Sequence, residues 1–314
     1  METMKAVRIH SFGGPEALKI EELPRPLPEE DEILVQVKAA SVNPVDYKIR
    51  SGQYAKSQQL PMLLGRDVSG TVALCGTRVR DWEPGDDVFA MLPPGRGAYA
   101  EYVAIKASQL VAKPMQLDHE HAAAVPLAAL TAWQGLFDHG RLKSGQRVLI
   151  HGAAGGVGHF AVQLAKVAGA EVFATASSSD VQFLRELGAD RVINYRSEPF
   201  EEAVADVDLV LDLIGGQTQE RSWTVLKEGG TIVSTLDEPS QDKAREHHAR
   251  GTSYLTQPNA AELAQIARLI DEGKVRPWVE QCYRLEDVAI AQDRLEHKHA
   301  RGKTVITVDG GPAR

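Results

Sequence analysis

The stretch that most constrains the fold runs from Arg147 to Ala168 and reads RVLIHGAAGGVGHFAVQLAKVA. The apolar triplet Val148–Ile150 precedes a glycine-rich turn, and apolar residues after the turn have the spacing of one helix face. A strand that enters a helix through glycines leaves backbone N–H groups at the helix N-terminus, where they and the helix dipole bind phosphate. The stretch therefore predicts a dinucleotide site, the alternative being a turn that needs small residues only for packing. The predicted contacts are Gly155, Gly156, Val157 and Gly158.

Length and charge restrict the class of protein. A chain of 314 residues suggests two domains. Its formal net charge of −8 and the lack of a basic run argue against a nucleic-acid or anionic-membrane partner. The sequence has no apolar run long enough for a transmembrane helix, and its N-terminus lacks the apolar region of a secretory signal. The two cysteines, Cys75 and Cys282, cannot build a disulfide framework, so we expect a cytoplasmic location.

The pattern of secondary structure changes along the chain. Residues 1–122 contain many short strand candidates separated by Gly and Pro, which is typical of a partly open β-barrel. His119–Gly140 is predicted as helix, kinked or restarted at Pro126. After Arg147, strands and helices alternate, which predicts a doubly wound parallel sheet with helices on both faces.

The C-terminal segment is predicted to return to the β-rich region. Asn259 can cap a helix over Asn259–Glu272, and a second helix, Leu285–His297, precedes a final strand, Thr304–Val308. That strand can complete the N-terminal barrel. We therefore predict a β-rich domain from residues 1–122 plus 258–314, a dinucleotide-binding domain from residues 123–257, and a ligand cleft beyond the carboxyl ends of the parallel strands.

Motifs along nearly the whole chain resemble those of one enzyme family. They are MKAVRIHSFGGPEALKIEELPRP, ASVNPVDYKIRSGQY, LGRDVSGTV, PGDDVFAM, GAYAEYV, AAAVPLAALTAW, GQRVLIHGAAGGVGHFAVQLAK, LGADRVINY and GKTVITV. In this order they resemble the zinc-independent quinone oxidoreductase branch of the medium-chain dehydrogenase/reductase superfamily. The resemblance implies an α/β fold: a doubly wound Rossmann-type parallel sheet domain plus a partly open, GroES-like β-barrel catalytic domain.

The resemblance also bears on metal binding. Zinc-binding members of the superfamily carry a Cys ligand at the segment of Asp46 and a His ligand within the segment Gly65–Asp67, and this chain has neither. Two aspartates are a poor set for a tetrahedral zinc site. We therefore predict no metal, with Asp46 and Asp67 acting as hydrogen-bonding residues that hold loops.

The end of the second parallel strand predicts the cofactor. An NAD site of this type has Asp or Glu there to bind the ribose 2′-OH, whereas Glu171–Ala176 is followed by Ser177, Ser178 and Ser179. Three hydroxyls without a carboxylate favour NADPH over NADH, with Asp180 beginning the next helix and Arg196 as a possible charge partner. The resemblance adds further predicted cofactor contacts: Asn43, Thr131, Tyr195 and Ile214.

The predicted chemistry is hydride transfer to an acceptor that is already activated, such as a quinone or an α,β-unsaturated carbonyl. By resemblance, Asn43 and Tyr54 are the catalytic candidates, and the loop Leu92–Tyr99 lines the cleft. Lys48 replaces a Tyr found in several quinone reductases, and Tyr47 and Arg66 are neighbouring candidates only. Two alternatives stay open: an enoyl-thioester or alkenal reductase of the same fold, and a non-catalytic NADPH-binding protein.

Two further predictions concern assembly and the histidines beside the turn. Family members dimerise by pairing edge strands of their cofactor sheets, and Gly251–Gln257, with Tyr254 in alternation, is the predicted edge strand for a homodimer. His151 and His159 flank the glycines and are interpreted as packing or surface residues, because neither has an acid nearby in sequence.

Overall fold

The computed structural model describes residues 2–298 and 300–308. Residues 1, 299 and 309–314, which belong to the predicted β-rich domain, lie outside the described residues. The chain forms two compact units. The first unit comprises Met1–Leu127, Gln257–Glu272 and Pro277–Arg314, and the second comprises Ala128–Thr256 and Gly273–Arg276.

The elements follow one another in chain order. The N-terminal segment contains β1 (Thr3–Ile9), β2 (Lys19–Pro24), β3 (Glu32–Val42), α1 (Pro44–Arg50), β4 (Met62–Leu63), β5 (Asp67–Cys75), β6 (Asp87–Met91), β7 (Tyr102–Lys106), β8 (Val111–Ala112) and α2 (His119–Ala123). The middle segment contains α3 (Pro126–Trp133), β9 (Arg147–Ile150), α4 (Gly158–Val167), β10 (Glu171–Ala176), α5 (Val181–Glu186), β11 (Arg191–Asn194), α6 (Phe200–Ala203), β12 (Val207–Asp212), α7 (Gly216–Ser222), β13 (Leu226–Ser234), α8 (Gln241–Glu246) and β14 (Arg250–Ser253). The C-terminal segment contains α9 (Ala260–Asp271), β15 (Val279–Arg284), α10 (Val288–His297) and β16 (Lys303–Thr307).

The first unit is built around β3. One side of β3 pairs antiparallel with β5 along almost its full length. The other side is shared, because β7 pairs with Glu32–Gln36 and β16 pairs with Ala39–Val42. The sheet therefore opens midway along β3, which gives the partly open barrel that the sequence predicts. The C-terminal strand β16 completes this sheet, as predicted.

A buried arginine holds α1 in the first unit. The guanidinium of Arg50 donates to Gln292 Oε1 at 2.9 Å, to Glu296 Oε2 at 2.6 Å and to the carbonyl oxygen of Gly13 at 3.2 Å. Arg50 is almost fully buried, so these partners offset the cost of removing its charge from water. The start of α1 carries Asn43 and Asp46, and this clamp fixes the helix that presents them.

The second unit is a six-stranded parallel sheet in the order β11–β10–β9–β12–β13–β14. Strand order reverses between β9 and β12, and ligands of doubly wound sheets bind at such a switch point, outside the carboxyl ends of the strands. Apolar side chains from the central strands, including Leu149, Val210 and Ile232, pack with Phe200 and Trp223 in the core of this unit. The predicted doubly wound fold is confirmed.

The predicted helical segment His119–Gly140 restarts at Pro126, which is one of the two outcomes that the sequence predicts. α2 ends at Ala123, α3 starts at Pro126, and Gln134–His139 forms a π-helical turn that the sequence did not predict. Proline lacks an N–H group, so it is tolerated at the first position of a helix and not in a helix interior.

Among the helices of the described residues, none combines the length and the apolarity that crossing a bilayer requires.

The edge strand is shorter than predicted. β14 ends at Ser253, and Tyr254 turns inward, where it stacks on His139 with ring centroids 4.5 Å apart and donates to the carbonyl oxygen of Thr131. The free energy gained by burying the Tyr254 ring exceeds the free energy that continuation of the strand would give. Strand alternation in the sequence cannot reveal a residue that leaves the sheet to pack elsewhere.

The glycines of the turn predict different effects on stability. A Cβ added at Gly158 would lie 2.6 Å from the Ala153 carbonyl oxygen and closer still to that of Gly152, whereas a Cβ at Gly155 would meet only the latter, at 3.3 Å. We expect Gly158→Ala to lower the free energy of unfolding of the ligand-free protein by about 2–3 kcal/mol, because backbone atoms must move. Gly155→Ala is the matched control and should cost less than about 1 kcal/mol. Urea denaturation measures both, and equal losses would contradict this packing account.

Candidate active site

The glycine turn of the second unit has the geometry that a dinucleotide phosphate needs. β9 ends at Ile150, and α4 begins at Gly158, whose lack of a side chain lets the helix approach the turn closely. Gly152 adopts φ +67°, a conformation that favours glycine. Gly155, Gly156 and Val157 are partly exposed at the N-terminus of α4. Because helix N-termini present N–H groups and a positive dipole, these residues fit a phosphate.

Both histidines beside the turn are packing residues. His151 is fully buried; its Nδ1 lies 3.0 Å from Thr175 Oγ1 and its Nε2 lies 2.9 Å from Ser222 Oγ. Burial lowers the pKa of His151 to about 4, so the ring is neutral at pH 7. His159 is also buried, with Nδ1 3.0 Å from the carbonyl oxygen of Gly155. These contacts confirm packing and exclude a surface position.

The serine segment after β10 keeps its carboxylate turned inward. Asp180 is 3% exposed and accepts a hydrogen bond of 2.6 Å from Ser177 Oγ, which also lies 2.8 Å from Ser179 Oγ. Asp180 directly precedes α5, as predicted. The Ser177 hydroxyl is therefore committed to Asp180, and the Ser178 side chain stays at the exposed tip of the strand. Sequence alone could not separate the three hydroxyls in this way.

Tyr195 and Arg196 follow the neighbouring strand β11. The Tyr195 ring is 56% exposed, and the Arg196 guanidinium lies 5.9 Å from its centroid. β10 pairs with β11 through Ala176 and Asn194, so both residues lie near the serine segment at the carboxyl edge of the sheet. This edge therefore combines exposed hydroxyl groups with one exposed cation.

Ile214 lies in the loop after β12, two residues beyond Asp212, where the strand ends. Its side chain is 53% exposed and lies over Gly152, where an added Cβ would be 3.0 Å from Ile214 Cδ1. The buried carboxylate of Asp212 holds this loop: Oδ1 accepts from Ile214 N at 3.0 Å and Gly215 N at 2.9 Å, and Oδ2 accepts from Gln219 Nε2 at 3.0 Å. Asp212 is a positioning residue that sequence reasoning missed, although an aspartate followed by Leu-Ile-Gly-Gly at a strand end is typical of such a loop.

Thr131 is 5% exposed and lies inside the second unit. Its Oγ1 is 2.7 Å from Thr256 Oγ1, and its carbonyl oxygen accepts from Tyr254. A nicotinamide contact through Thr131 stays a prediction.

A buried polar cluster surrounds Asn43 in the first unit. Asn43 Nδ2 donates to Asp67 Oδ2 at 2.9 Å, and Asn43 Oδ1 accepts from Lys303 Nζ. Asp67 Oδ2 also accepts from Ser41 Oγ at 2.5 Å, and Lys303 Nζ lies 4.0 Å from the same oxygen. All four residues are less than 5% exposed. The orientation of the Asn43 amide is therefore set by the protein itself.

Asp46 forms the second half of this cluster. Its Oδ2 accepts from Asn43 N at 2.8 Å and from Tyr99 OH at 2.9 Å, while its buried Oδ1 has no hydrogen-bond partner within the described residues. Burial raises the pKa of Asp46 to about 6. Burial and the carboxylate of Asp46 raise the pKa of Tyr99, and burial lowers the pKa values of Lys303 and Arg66. Low dielectric surroundings disfavour the charged form of each group.

This cluster corrects one prediction and extends another. Tyr99 is fully buried and packs against Gly65, so it does not line a cleft as the sequence suggests. Asp46 and Asp67 act as hydrogen-bonding residues that hold loops, as predicted; Asp67 Oδ1 also accepts from Leu127 N at 2.7 Å. Lys303 was missed, although a lysine inside an otherwise apolar terminal strand is itself a signal of a buried partner.

The catalytic candidate Tyr54 has different surroundings. Its ring is 51% exposed, and Lys48 Nζ lies 5.3 Å from its centroid. Tyr47 is partly buried, and burial raises its pKa. Arg66 donates through Nε to the carbonyl oxygen of Leu92 at 2.8 Å, so its charge is held within the loop. Of the two catalytic candidates, only Tyr54 presents its side chain at the surface.

Known proteins match the chain over most of its length. The profile "Alcohol dehydrogenase GroES-like domain" matches residues 29–115, and the profile "Zinc-binding dehydrogenase" matches residues 187–306. The chain is 38% identical to human mitochondrial NAD(P)H oxidoreductase RTN4IP1 over 88% of this chain and 82% of that protein. It is 36% identical to the chloroplastic NADPH-dependent alkenal/one oxidoreductase of Arabidopsis thaliana over 96% of this chain and 79% of that protein. The structure of the quinone oxidoreductase from Coxiella burnetii aligns with a TM-score of 0.91 and 38% identity over 98% of this chain and 100% of that chain.

Fold and turn together define a nicotinamide-dependent oxidoreductase: a GroES-like β unit and a doubly wound sheet with a phosphate-binding turn in one chain. The chain belongs to the medium-chain dehydrogenase/reductase superfamily, in its quinone oxidoreductase-like branch. The predicted family and class of enzyme are thereby confirmed.

The raised pKa of Asp46 predicts how stability depends on pH. In the folded protein the Asp46 carboxyl keeps its proton up to about pH 6, whereas the ordinary pKa of this group is 3.8. Ionisation of Asp46 therefore opposes folding as pH rises from 4 to 7. The variant Asp46→Asn carries no charge at this position. Between pH 4 and pH 7 we expect its free energy of unfolding to rise by up to about 3 kcal/mol relative to that of the wild type.

Denaturant unfolding at pH 4 and pH 7 measures this change. Asp81→Asn, which removes an exposed carboxylate, is the control and should stay within about 0.5 kcal/mol of the wild type at both values. A difference between Asp46→Asn and the wild type that does not change with pH would refute the assignment.

Proposed function

We propose that the protein is an NADPH-dependent reductase that transfers hydride to a quinone or another activated α,β-unsaturated carbonyl without zinc. The observation that carries the choice of cofactor is the inward carboxylate of Asp180. An exposed carboxylate at this position would bind a ribose 2′-OH and repel a 2′-phosphate. Here the exposed groups at the same edge are hydroxyls and Arg196, which suit a phosphate.

The residues that would hold the dinucleotide all follow parallel strands. Gly155, Gly156, Val157 and Gly158 present the N-terminus of α4 to the pyrophosphate. Ser178, Tyr195 and Arg196 would hold the adenosine 2′-phosphate, and Ile214 covers the turn beside Gly152. The bound nicotinamide supplies the hydride. The protein orients the cofactor and the acceptor, excludes water and stabilises the charge that develops on the acceptor.

The class of hydride acceptor is inferred from the polar side chains that the first unit exposes. Addition of hydride to the β-carbon of an enone places negative charge on oxygen, and a proton then completes the product. Exposed Tyr54 and Lys48 can stabilise that oxygen or donate the proton, and we propose Tyr54 as the catalytic residue. Asn43, whose amide is held by Lys303 and Asp67, is proposed to contact the nicotinamide ribose.

The proposal of zinc independence rests on what the two aspartates do. Three of the four carboxylate oxygens of Asp46 and Asp67 already accept hydrogen bonds, from the side chains of Tyr99, Asn43 and Ser41 and from two backbone N–H groups. A zinc ion needs about three protein ligands with lone pairs directed at one point. A profile named for zinc binding matches this chain, so the metal requirement calls for direct measurement.

Two of the matched relatives favour different acceptors. One is named for alkenals and enones, and the solved structure for quinones. We propose the broader class, an activated conjugated carbonyl. An enoyl-thioester reductase of the same fold is the second candidate, since its substrate is also a conjugated carbonyl compound that accepts hydride at the β-carbon.

Assembly and location stay proposals. The outward backbone groups of β14 are already bonded inside the chain: Ser253 N donates to Glu238 Oε2 at 3.0 Å and the Gly251 carbonyl accepts from Gln241 Nε2 at 3.1 Å. We propose a homodimer through this edge, for which these side-chain bonds must be replaced by strand pairing. We also propose a cytoplasmic location, because two cysteines are too few for the disulfide framework of a secreted domain.

Steady-state kinetics with a panel of 1,4-quinones, enals and enoyl thioesters tests the function. We expect NADPH oxidation with quinones and enals, a higher kcat/KM for NADPH than for NADH, and no loss of rate after treatment with a zinc chelator. Ser178→Asp should lower the NADPH/NADH ratio of kcat/KM at least about tenfold, because a carboxylate would face the phosphate. Ser178→Asn is the matched control and should keep the preference. A wild type that prefers NADH, or that stops with the chelator, would contradict the proposal.

A further inference from the structure

A second concave site lies in the second unit, at the edge of the sheet opposite the glycine turn. The pocket has a volume of about 370 Å³. Lining residues include the first residue of β14, Arg250, and Lys227 near the start of β13. All six strands are parallel, so this is the amino edge, about 15 Å along the strands from the carboxyl edge that carries the turn. The pocket is therefore separate from the cofactor site.

The charge of this pocket has the opposite sign to that of the whole chain. Its charged lining residues are Arg141, Lys143, Lys227, Arg250 and Asp208. Four cations and one carboxylate thus converge in a protein whose formal net charge is −8. Clustered like charges cost folding energy through mutual repulsion, and a concave low-dielectric wall focuses their field. An anion in the pocket would relieve that repulsion.

The one carboxylate is already used for structure. Asp208 pairs with Lys227, and it accepts from Arg147 N at 2.8 Å and from Gln146 Nε2 at 3.0 Å. The Asp208 carboxylate therefore holds the start of β9 through these contacts. The cations Arg141, Lys143 and Arg250 are exposed, and no ion pair involves Arg141 or Lys143 in the described part of the chain. Three cationic side chains are thus left to face a ligand.

Polar groups that suit phosphate oxygens accompany the cations. Arg250 Nη2 donates to Thr231 Oγ1 at 3.1 Å, which holds the guanidinium against β13 and leaves its other N–H groups available. The backbone at this edge is also held in unusual conformations. Among the described residues, the non-glycine residues with positive φ are Arg141 at +53°, Asp206 at +55° and His248 at +49°, and they lie in loops that lead to β9, β12 and β14. Such strain often marks binding sites.

We propose that this pocket binds a small phosphate-bearing molecule. Arg and Lys side chains that converge in one concavity recognise phosphate through charge-assisted hydrogen bonds. A volume of about 370 Å³ lies at the small end of ligand pockets and suits a diphosphate or a compact phosphate ester better than a dinucleotide. The ligand bridges the loop of Arg141 and Lys143 to strands β13 and β14, so binding also stabilises this unit.

Calorimetric titration of the purified protein, saturated with NADPH so that the glycine turn is occupied, with inorganic pyrophosphate tests the proposal. We expect one equivalent to bind, with an affinity that falls as salt rises. The double variant Lys143→Gln/Arg250→Gln should weaken binding at least about tenfold, since it removes two charge-assisted hydrogen bonds to the phosphate. The matched control Lys19→Gln/Arg185→Gln removes the same charges from exposed positions outside the pocket and should stay within about twofold of the wild type.

A parallel titration of the NADPH-saturated protein with ADP distinguishes the sources of the phosphate. Equal affinity for ADP and pyrophosphate means that the diphosphate alone is recognised. Tighter binding of ADP means that the ligand is a nucleotide. Either outcome supports the proposal if the double variant weakens the binding of both compounds. Lack of pyrophosphate binding, equal affinity of the double variant and the wild type, or equal weakening in the control would each overturn it. The ligand-free melting temperature of each variant shows whether its fold is intact.

Discussion

The carboxylate of Asp67 is the interaction on which the first unit depends most. This fully buried group receives hydrogen bonds from Ser41 at the end of β3, from Asn43 before α1 and from the N–H group of Leu127 at the start of α3. The ammonium of Lys303 on β16 faces it at 4.0 Å. Three segments far apart in sequence, at residues 41–43, 127 and 303, therefore meet at the charge of Asp67. Removal of one partner from such a buried pair leaves an uncompensated charge and typically costs 3–5 kcal/mol.

The second unit depends on a steric constraint rather than on a charge. The close approach of α4 to the turn at Gly152 and Ala153 requires Gly158 to have no side chain, and that approach aims the helix N-terminus at the carboxyl edge of the sheet. Asp212 then holds the next loop so that Ile214 covers the turn. The two edges of this sheet differ: the carboxyl edge offers glycines, hydroxyls and one arginine, and the amino edge offers the basic pocket.

Periodicity and glycine spacing were enough to predict the doubly wound sheet, the β-rich unit completed by β16, and the helix capped by Asn259. These features depend on local patterns or on motifs that follow one another in the chain. Side-chain direction was not predictable. The sequence predicts Tyr99 in a loop that lines the cleft and Tyr254 in an edge strand, yet their hydroxyls reach Asp46 and the Thr131 carbonyl inside the fold. Lys303 and Asn43 are 260 positions apart, and only the tertiary structure brings their side chains together.

The central claim is that this chain directs hydride to the β-carbon of a conjugated acceptor without help from a metal. The position of deuterium in the product tests it most directly, when an enone is reduced with NADPH dideuterated at C4 of the nicotinamide. The account predicts a saturated ketone with deuterium on the former β-carbon, formed at the same rate with and without chelator. An allylic alcohol with deuterium on the carbonyl carbon, or a product without deuterium, would contradict it.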